Sequence, residues 1–401
     1  MRFSIKVIPS RSANVGKIQL NNTASLNALD LDMVRAITDI LPTYSNLKAT
    51  IFFANNNSSS DDENNNGNKK KARKSFCAGG DVKAVYMAGM GLNDRDEDIN
   101  AKKLSQHGFG CTNLYTADMF REEYQLNYNI ANQPPHMPQI SIWDGIVMGG
   151  GVGISIHGKY RIATENSLFA MPETNLGLHP DVGGSYFLSR LRGGLGPYLG
   201  LTGVRLKGDD LFYGGLATHY VRSGNIDEMV KEIERKSIEE HDQVGDCAAS
   251  VLMEFHEDPG KNNSFLAQNQ DVIDNVFEGK ESMEEIIDAL EKLGADSEFG
   301  TTTLETLKKM SPTSLKVTLE GLNRGKKLKD IGECLKMEFR ISQAFMKEGS
   351  DFYEGVRAIL VDKDNKPQWS PSKLEDISKE HVDSFFKSLG DEELIFDMSK
   401  L

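Results

Sequence analysis

Phe76-Cys77-Ala78-Gly79-Gly80-Asp81 reads as a strand that enters a glycine turn, with the aspartate opening a helix that carries Val82, Val85 and Tyr86. The glycines permit a tight turn and leave bare backbone on its surface. The first N–H groups of a helix have no internal partner and stand at the positive end of its dipole. They form a donor site for an oxygen that gains negative charge. Met148-Gly149-Gly150-Gly151-Val152-Gly153 repeats the arrangement, reached from the strand-like Ile140–Trp143 through Asp144-Gly145. Two such donors aimed at one point make an oxyanion hole. Taken singly, each loop is equally well a plain turn between a strand and a helix. Neither loop has the GxxxxGK[ST] spacing, which excludes a nucleoside triphosphatase of that type.

Outward from these loops the chain reads as strand–loop–helix units. Asp30 is placed to cap a helix that turns Val34, Ile37 and Leu41 to one face. Residues 49–54 are a short apolar run of strand length, 139–143 and 160–163 also read as strands, and 119–132 reads as a helix. Such repetition predicts an α/β architecture with crossover helices. Residues 55–71 are rich in Asn, Ser, Asp and Lys and almost free of apolar residues, so a disordered surface insertion is expected there. Beyond about residue 207 strand signals fade, and 226–241, 283–293, 312–323 and 330–346 read as helices. The expected organisation is a core over 1–206 and a mainly helical region over 207–401 packed upon it.

The 401 residues carry a formal net charge of -13 and are 39% hydrophobic, which suits a chain with a real core. The acidic balance argues against nucleic-acid or anionic-membrane partners. No apolar run reaches bilayer length. Cys77, Cys111, Cys247 and Cys334 are far apart, which speaks against a disulfide framework or a zinc site and for a reducing compartment. His107, His136, His157, His179 and His219 show no metal-ligand spacing, and His157 and His219 read as structural. Ser155 and Ser185 lie near glycines without forming a GxSxG elbow. The early strand signal leaves little room for a cleaved presequence. Ser399-Lys400-Leu401 matches the tripeptide read by the peroxisomal import receptor, so that receptor is an expected partner and the peroxisome the expected location, with the mitochondrion as the alternative.

Leu26-Asn27-Ala28-Leu29, then Cys77 to Asp81, then Met148 to Gly153 resemble the successive signatures of the crotonase superfamily. The resemblance implies an α/β fold, a crotonase-like spiral of ββα units with a helical C-terminal region, and in many branches a homo-oligomer. It implies that a thioester carbonyl binds to the N–H groups of Gly80 and Gly150. Asn21-Asn22-Thr23 departs from the Asn-Arg-Pro often found there, in a turn away from the reacting carbonyl. Hydratases of the superfamily carry one glutamate right after the glycine run, where this chain has Gly153. Their second glutamate is kept as Glu173 in Met171-Pro172-Glu173-Thr174, and Asp181 follows in His179-Pro180-Asp181-Val182-Gly183-Gly184. With Phe120-Arg121-Glu122-Glu123-Tyr124, Ser311-Pro312-Thr313-Ser314, Met337-Glu338-Phe339-Arg340 and residues 351–358, these motifs resemble the 3-hydroxyisobutyryl-CoA hydrolase branch. The resemblance covers nearly the whole chain apart from the Asn-rich insertion.

What it implies is hydrolysis of an acyl-CoA thioester, 3-hydroxyisobutyryl-CoA in valine breakdown, with no cofactor beyond the CoA of the substrate. Glu173 is then either a nucleophile that forms an anhydride or a general base for water, two routes the sequence leaves open. Asp181 binds the substrate's 3-hydroxyl or protonates the leaving thiolate, and Glu123 contacts the acyl end. Such a site prefers 3-hydroxyacyl esters over plain ones. Each residue alone has a plainer reading. Glu173 can be a surface carboxylate at a helix end, Asp181 a turn cap, and Glu123 part of a solvated face. The rival functions are a hydratase or isomerase and a crotonase-fold structural subunit without turnover.

Overall fold

β1 (Ile5–Ile8) runs antiparallel to β2 (Val15–Leu20), with Ile5 opposite Leu20. Asp30 then caps the helix Leu31–Ile40, its carboxylate accepting from the Met33 N–H at 2.8 Å. Six strands follow: β3 (Ala49–Ala54), β4 (Ser75–Cys77), β5 (Gln139–Trp143), β6 (Ile146–Met148), β7 (Tyr160–Ala163) and β8 (Leu168–Ala170). The odd-numbered members join β2 in one parallel array, and the even-numbered members form a second parallel array. Helices Val82–Gly89 and Leu114–Ala131 intervene between β4 and β5, and Gly150–Ile156 between β6 and β7. Each turn of the chain is therefore strand, strand, helix, because a return to a parallel neighbour needs a crossover. β9 (Leu206–Lys207) closes the second sheet antiparallel to β8, and β10 (His219–Tyr220) extends the first beside β7. This computed structural model describes residues 4–8, 10, 14–44, 46–55, 74–92, 114–239 and 244–400, so the expected insertion lies, after Asn55, outside the described residues.

Strand composition follows from burial on both faces, which favours continuous apolar runs over alternation. β3 is such a run, whereas β5, Gln-Ile-Ser-Ile-Trp, is wholly buried although it alternates, with Gln139 Nε2 donating to Ser141 Oγ at 3.0 Å. One face of the first sheet packs Ile51, Ile140 and Ile162 against Met229, Ile233, Val251 and Leu252 of helices Ile226–Glu239 and Val244–Phe255. The main core lies between the sheets and the remaining helices, and joins Phe76, Val147 and Phe169 with Phe339, Phe345 and Phe352. After Tyr220 the described residues form no strand. Ser264, Ser282, Ser297, Ser311 and Asp330 each cap the helix that follows by accepting from the N–H three residues on.

β4, β6 and β8 are neighbours in the second sheet. Their C-terminal ends lead directly into Gly79-Gly80, Gly149-Gly150 and Pro172-Glu173. Ends of adjacent parallel strands converge on one crevice.

Candidate active site

The first glycine loop is held by the segment before the first crossover. The Leu29 N–H donates to the Gly79 carbonyl at 2.8 Å, the Asp81 N–H to the Leu29 carbonyl at 2.7 Å, and the Ala78 N–H to the Leu26 carbonyl at 3.1 Å. Gly79 has φ +117, which a side chain resists, and the Asp81 carboxylate caps the following helix on Ala84 N–H. The second loop turns at Gly149, φ +44, into the helix Gly150–Ile156. The two loops touch. A methyl group on Gly150 would lie 3.1 Å from Gly80 N and 2.4 Å from Glu123 Oε1, and one on Gly149 would lie 3.0 Å from Glu173 Oε1. The Gly80 and Gly150 N–H groups enter no backbone hydrogen bond among the described residues.

Glu123 projects from the helix Leu114–Ala131 on the same face as Met119 and Phe120, and Glu173 opens the short 3-10 turn Glu173–Leu176. Asp181 follows Pro180 on the loop before the helix Gly184–Phe187. Gly80, Gly150, Glu123, Glu173 and Asp181 all line one narrow cavity, walled further by Val82, Val85, Met119, Phe120, Leu176 and Leu178. Glu173 and Asp181, which a surface or turn reading would expose, are only 5% and 6% accessible. Glu123 is at 4%, so the Arg-Glu-Glu-Tyr run does not present it to solvent. Glu123 Oε1 and Glu173 Oε2 are buried without a partner among the described residues. Among the described residues no lysine or arginine lines the cavity.

Glu123, Glu173 and Asp181, buried with no cation beside them among the described residues, hold protons more tightly than exposed carboxylates do. Burial pushes Glu173 well above the usual carboxylate range, and the charge of Asp181 adds to it. Burial and then Asp181 do the same to Glu123. Asp181 is also raised by burial, opposed by the Tyr124 hydroxyl, which donates to its Oδ2 at 2.8 Å. Among the described residues no group of three or more His, Cys, Asp or Glu side chains is placed to hold a metal ion, and no helix is long and apolar enough to cross a membrane.

Some groups at the site carried no assigned role in the sequence reading. Val182, beside Asp181, adopts φ +52, a left-handed conformation that costs a β-branched residue roughly 1–3 kcal/mol. Its loop is braced on both sides. His157 Nε2–H donates to the Val182 carbonyl at 2.8 Å, and the Glu338 carboxylate accepts from the Gly183 and Ser185 N–H groups at 2.7 and 2.8 Å. Val182 fills the space next to Gly153, where an added methyl would lie 2.6 Å from Val182 Cβ and 3.0 Å from Asn127 Nδ2. Asn127, one turn after Glu123, is fully buried, and neither of its side-chain polar atoms has a partner among the described residues. The spacing of 123 and 127 on one helix was the available signal for Asn127. Val182 and Glu338 lie within motifs quoted above, but nothing local in the sequence marks their roles beside Asp181.

The family model for enoyl-CoA hydratase/isomerase matches residues 15–386. Among curated relatives, the "3-hydroxyisobutyryl-CoA hydrolase, mitochondrial" of Mus musculus is 42% identical over 395 residues, 98% of this chain and 91% of that one. The protein of the same name from Dictyostelium discoideum is 41% identical over 373 residues, 93% of this chain and 89% of its own. A crystal structure of a carnitinyl-CoA dehydratase from Mycobacterium thermoresistibile superimposes with a TM-score of 0.79 at 30% identity, covering 99% of this chain and 100% of that one. A spiral of two parallel arrays, two abutting glycine loops at adjacent strand ends and a match over almost the full length agree: the chain belongs to the enoyl-CoA hydratase/isomerase family, the crotonase superfamily.

Proposed function

We propose that the chain hydrolyses the thioester of 3-hydroxyisobutyryl-CoA, releasing 3-hydroxyisobutyrate and free CoA in valine degradation. The observation that carries the reading is the convergence of Gly80, Gly150, Glu123, Glu173 and Asp181, from separate segments, on one cavity. The hydrolase relatives match over nearly their whole lengths.

In this reading the thioester oxygen lies between the Gly80 and Gly150 N–H groups, which stabilise it as it becomes negative. One lost donor of this kind costs about 3–4 kcal/mol. Glu173, beside Gly149, acts on the carbonyl carbon in one of two ways. As nucleophile it forms a mixed anhydride and expels the CoA thiolate, and water then opens the anhydride to acid and free Glu173. As general base it takes a proton from water that attacks directly. Its raised proton affinity favours proton uptake near neutral pH. Asp181, itself raised, can hold the proton that the leaving thiolate needs or bind the 3-hydroxyl, and Glu123 faces the acyl end. Gly153 offers no carboxylate for hydration, and Val182 occupies the space one would need.

The test is release of free CoA, followed with a thiol reagent, from 3-hydroxyisobutyryl-, isobutyryl- and crotonyl-CoA, with wild type and Glu173→Ala. Fast release from the 3-hydroxy ester alone, lost on substitution, is expected. No release from any ester overturns the reading, and hydration of crotonyl-CoA would restore the hydratase alternative.

The relatives named above are mitochondrial by name. Ser399-Lys400-Leu401, with Ser399 exposed, supports import into peroxisomes through the receptor for that tripeptide. Fusing a fluorophore to the N-terminus, with and without residues 399–401, checks it. Mitochondrial or cytosolic signal from both versions counts against it.

A further inference from the structure

We propose that Tyr124 and Ser342 are positioning residues that set the charge of Asp181 through a buried hydrogen-bonded chain ending at His179. The inference rests on reading Asp181 as a working group of the hydrolase site. Tyr124 Oη donates to Asp181 Oδ2 at 2.8 Å. Ser342 Oγ lies 2.7 Å from the same phenolic oxygen, and His179 Nε2 lies 2.9 Å from Ser342 Oγ. Tyr124 and Ser342 are wholly buried, and His179 is 3% accessible.

The proton count gives this chain a direction. A phenol has one proton. If Tyr124 gives it to Asp181, Ser342 must give its own to Tyr124 and accept from the Nε2–H of His179. Burial pulls His179 down to about 3, so its ring stays neutral, and it is held stacked on Phe345 with ring centres 5.9 Å apart. Every donor then points toward an ionised Asp181. Reversing the chain requires a proton on Asp181.

The surroundings of Asp181 make this donor decisive. Glu123 and Tyr124 face it from the helix Leu114–Ala131, Glu173 from the turn after β8, and Glu338 from the helix Ile331–Phe345. His157 reaches the neighbouring Val182 carbonyl from the helix Gly150–Ile156. Three of these groups are carboxylates that oppose a charge on Asp181, and none is a cation. The Tyr124 hydroxyl is the one side-chain donor to Asp181 among the described residues. Ser342 and Glu338 stand one turn apart on the same helix, which lines no part of the cavity. One holds the Asp181 side chain through Tyr124, and the other holds the backbone that follows it.

The test is a carboxyl-carbon NMR titration of the ligand-free full chain, carrying carbon-13 aspartate. The Asp181 signal is assigned by its loss in Asp181→Asn, and the pH profile of kcat is recorded alongside. Tyr124→Phe should raise the Asp181 titration by about one to two pH units, the scale of a lost hydrogen bond to a charged group. Ser342→Ala should raise it by less, and Ser342→Thr, which keeps the hydroxyl, should restore the wild-type value. The acid limb of kcat should move with each. An Asp181 titration that is the same in wild type and Tyr124→Phe overturns the proposal, whatever happens to thermal stability. If Tyr124→Phe does not fold, Ser342→Ala decides in the same way. The titration needs no substrate. A shift in a chain that hydrolyses no ester overturns the hydrolase reading alone, and an active enzyme with an unmoved titration overturns this proposal alone.

Discussion

The two glycine loops line the same cavity but are held there by different means. The first is tied by backbone hydrogen bonds to residues 26–29, and a methyl group on Gly80 would meet nothing nearer than Met119 Cε at 3.9 Å. The second is defined by close packing: a methyl on Gly150 would lie 2.4 Å from Glu123 Oε1, and one on Gly151 would lie 2.5 Å from the Cys77 carbonyl. The difference separates two reasons for a glycine. At Gly80, on the mechanism proposed above, the site needs the direction of an N–H. At Gly150 and Gly151 it needs the absence of a side chain.

The comparison is broken or sharpened by substitution. Gly150→Ala should lose about 10²–10³ in kcat/KM, because the new methyl displaces either Glu123 or the donor itself. Steady-state kinetics with the 3-hydroxy ester read it. Gly151→Ala should act on the fold, lowering stability by about 1–3 kcal/mol in a denaturant melt, since Cys77 is fully buried and cannot yield. Gly80→Ala should keep kcat/KM within roughly threefold of wild type, as expected where a small side chain meets open space. A loss at Gly80→Ala equal to that at Gly150→Ala would erase the distinction.

Glu123 supplies a prediction of intermediate size, about the stability of the second loop's neighbour. Its pKa is raised in the folded state, first by burial and then by Asp181. Between the unfolded and folded values the folded chain binds more protons, so stability falls as pH rises through that window. Glu123→Gln removes this penalty. The variant should exceed wild type in stability at pH 8, with the gap closing as pH falls below the ordinary glutamate pKa, where wild-type Glu123 is largely protonated in both states. Denaturant melts at pH 8 and below that pKa check it. A variant less stable than wild type at pH 8 would mean that Glu123 is held by contacts worth more than the repulsion.

Several strands and both glycine loops around the cavity were legible because their signals are local. Ala49–Ala54, Gln139–Trp143 and Tyr160–Ala163 stand where they were expected. β6 and β8 passed unnoticed because three residues, Ile146–Met148 or Leu168–Ala170, are too few to show a period. The five candidate residues, which the fold brings to one cavity, were named from motifs, which is why they came without their burial or their mutual repulsion. Glu338 and Ser342 were illegible as supports of Asp181 because the contacts that define them span more than 150 residues of chain, between Ser185 and Glu338 and between Tyr124 and Ser342. Val182 was hidden for another reason: its left-handed backbone is imposed by His157 and Glu338, against its own preference.

An acidic cavity with no cation among its described residues should make ligand binding a proton-linked event. An acyl group that fills the cavity expels water from Glu123, Glu173 and Asp181 and raises their proton affinity further. Binding a poorly hydrolysed ester analogue should therefore draw protons from solution. In titration calorimetry the observed heat should vary with the ionisation enthalpy of the buffer, with the slope giving the number taken up. Affinity should then rise as pH falls, while turnover, which on the proposed mechanism needs an ionised Glu173, should fall. The pH of tightest binding and the pH of fastest turnover are pulled apart by the same three side chains.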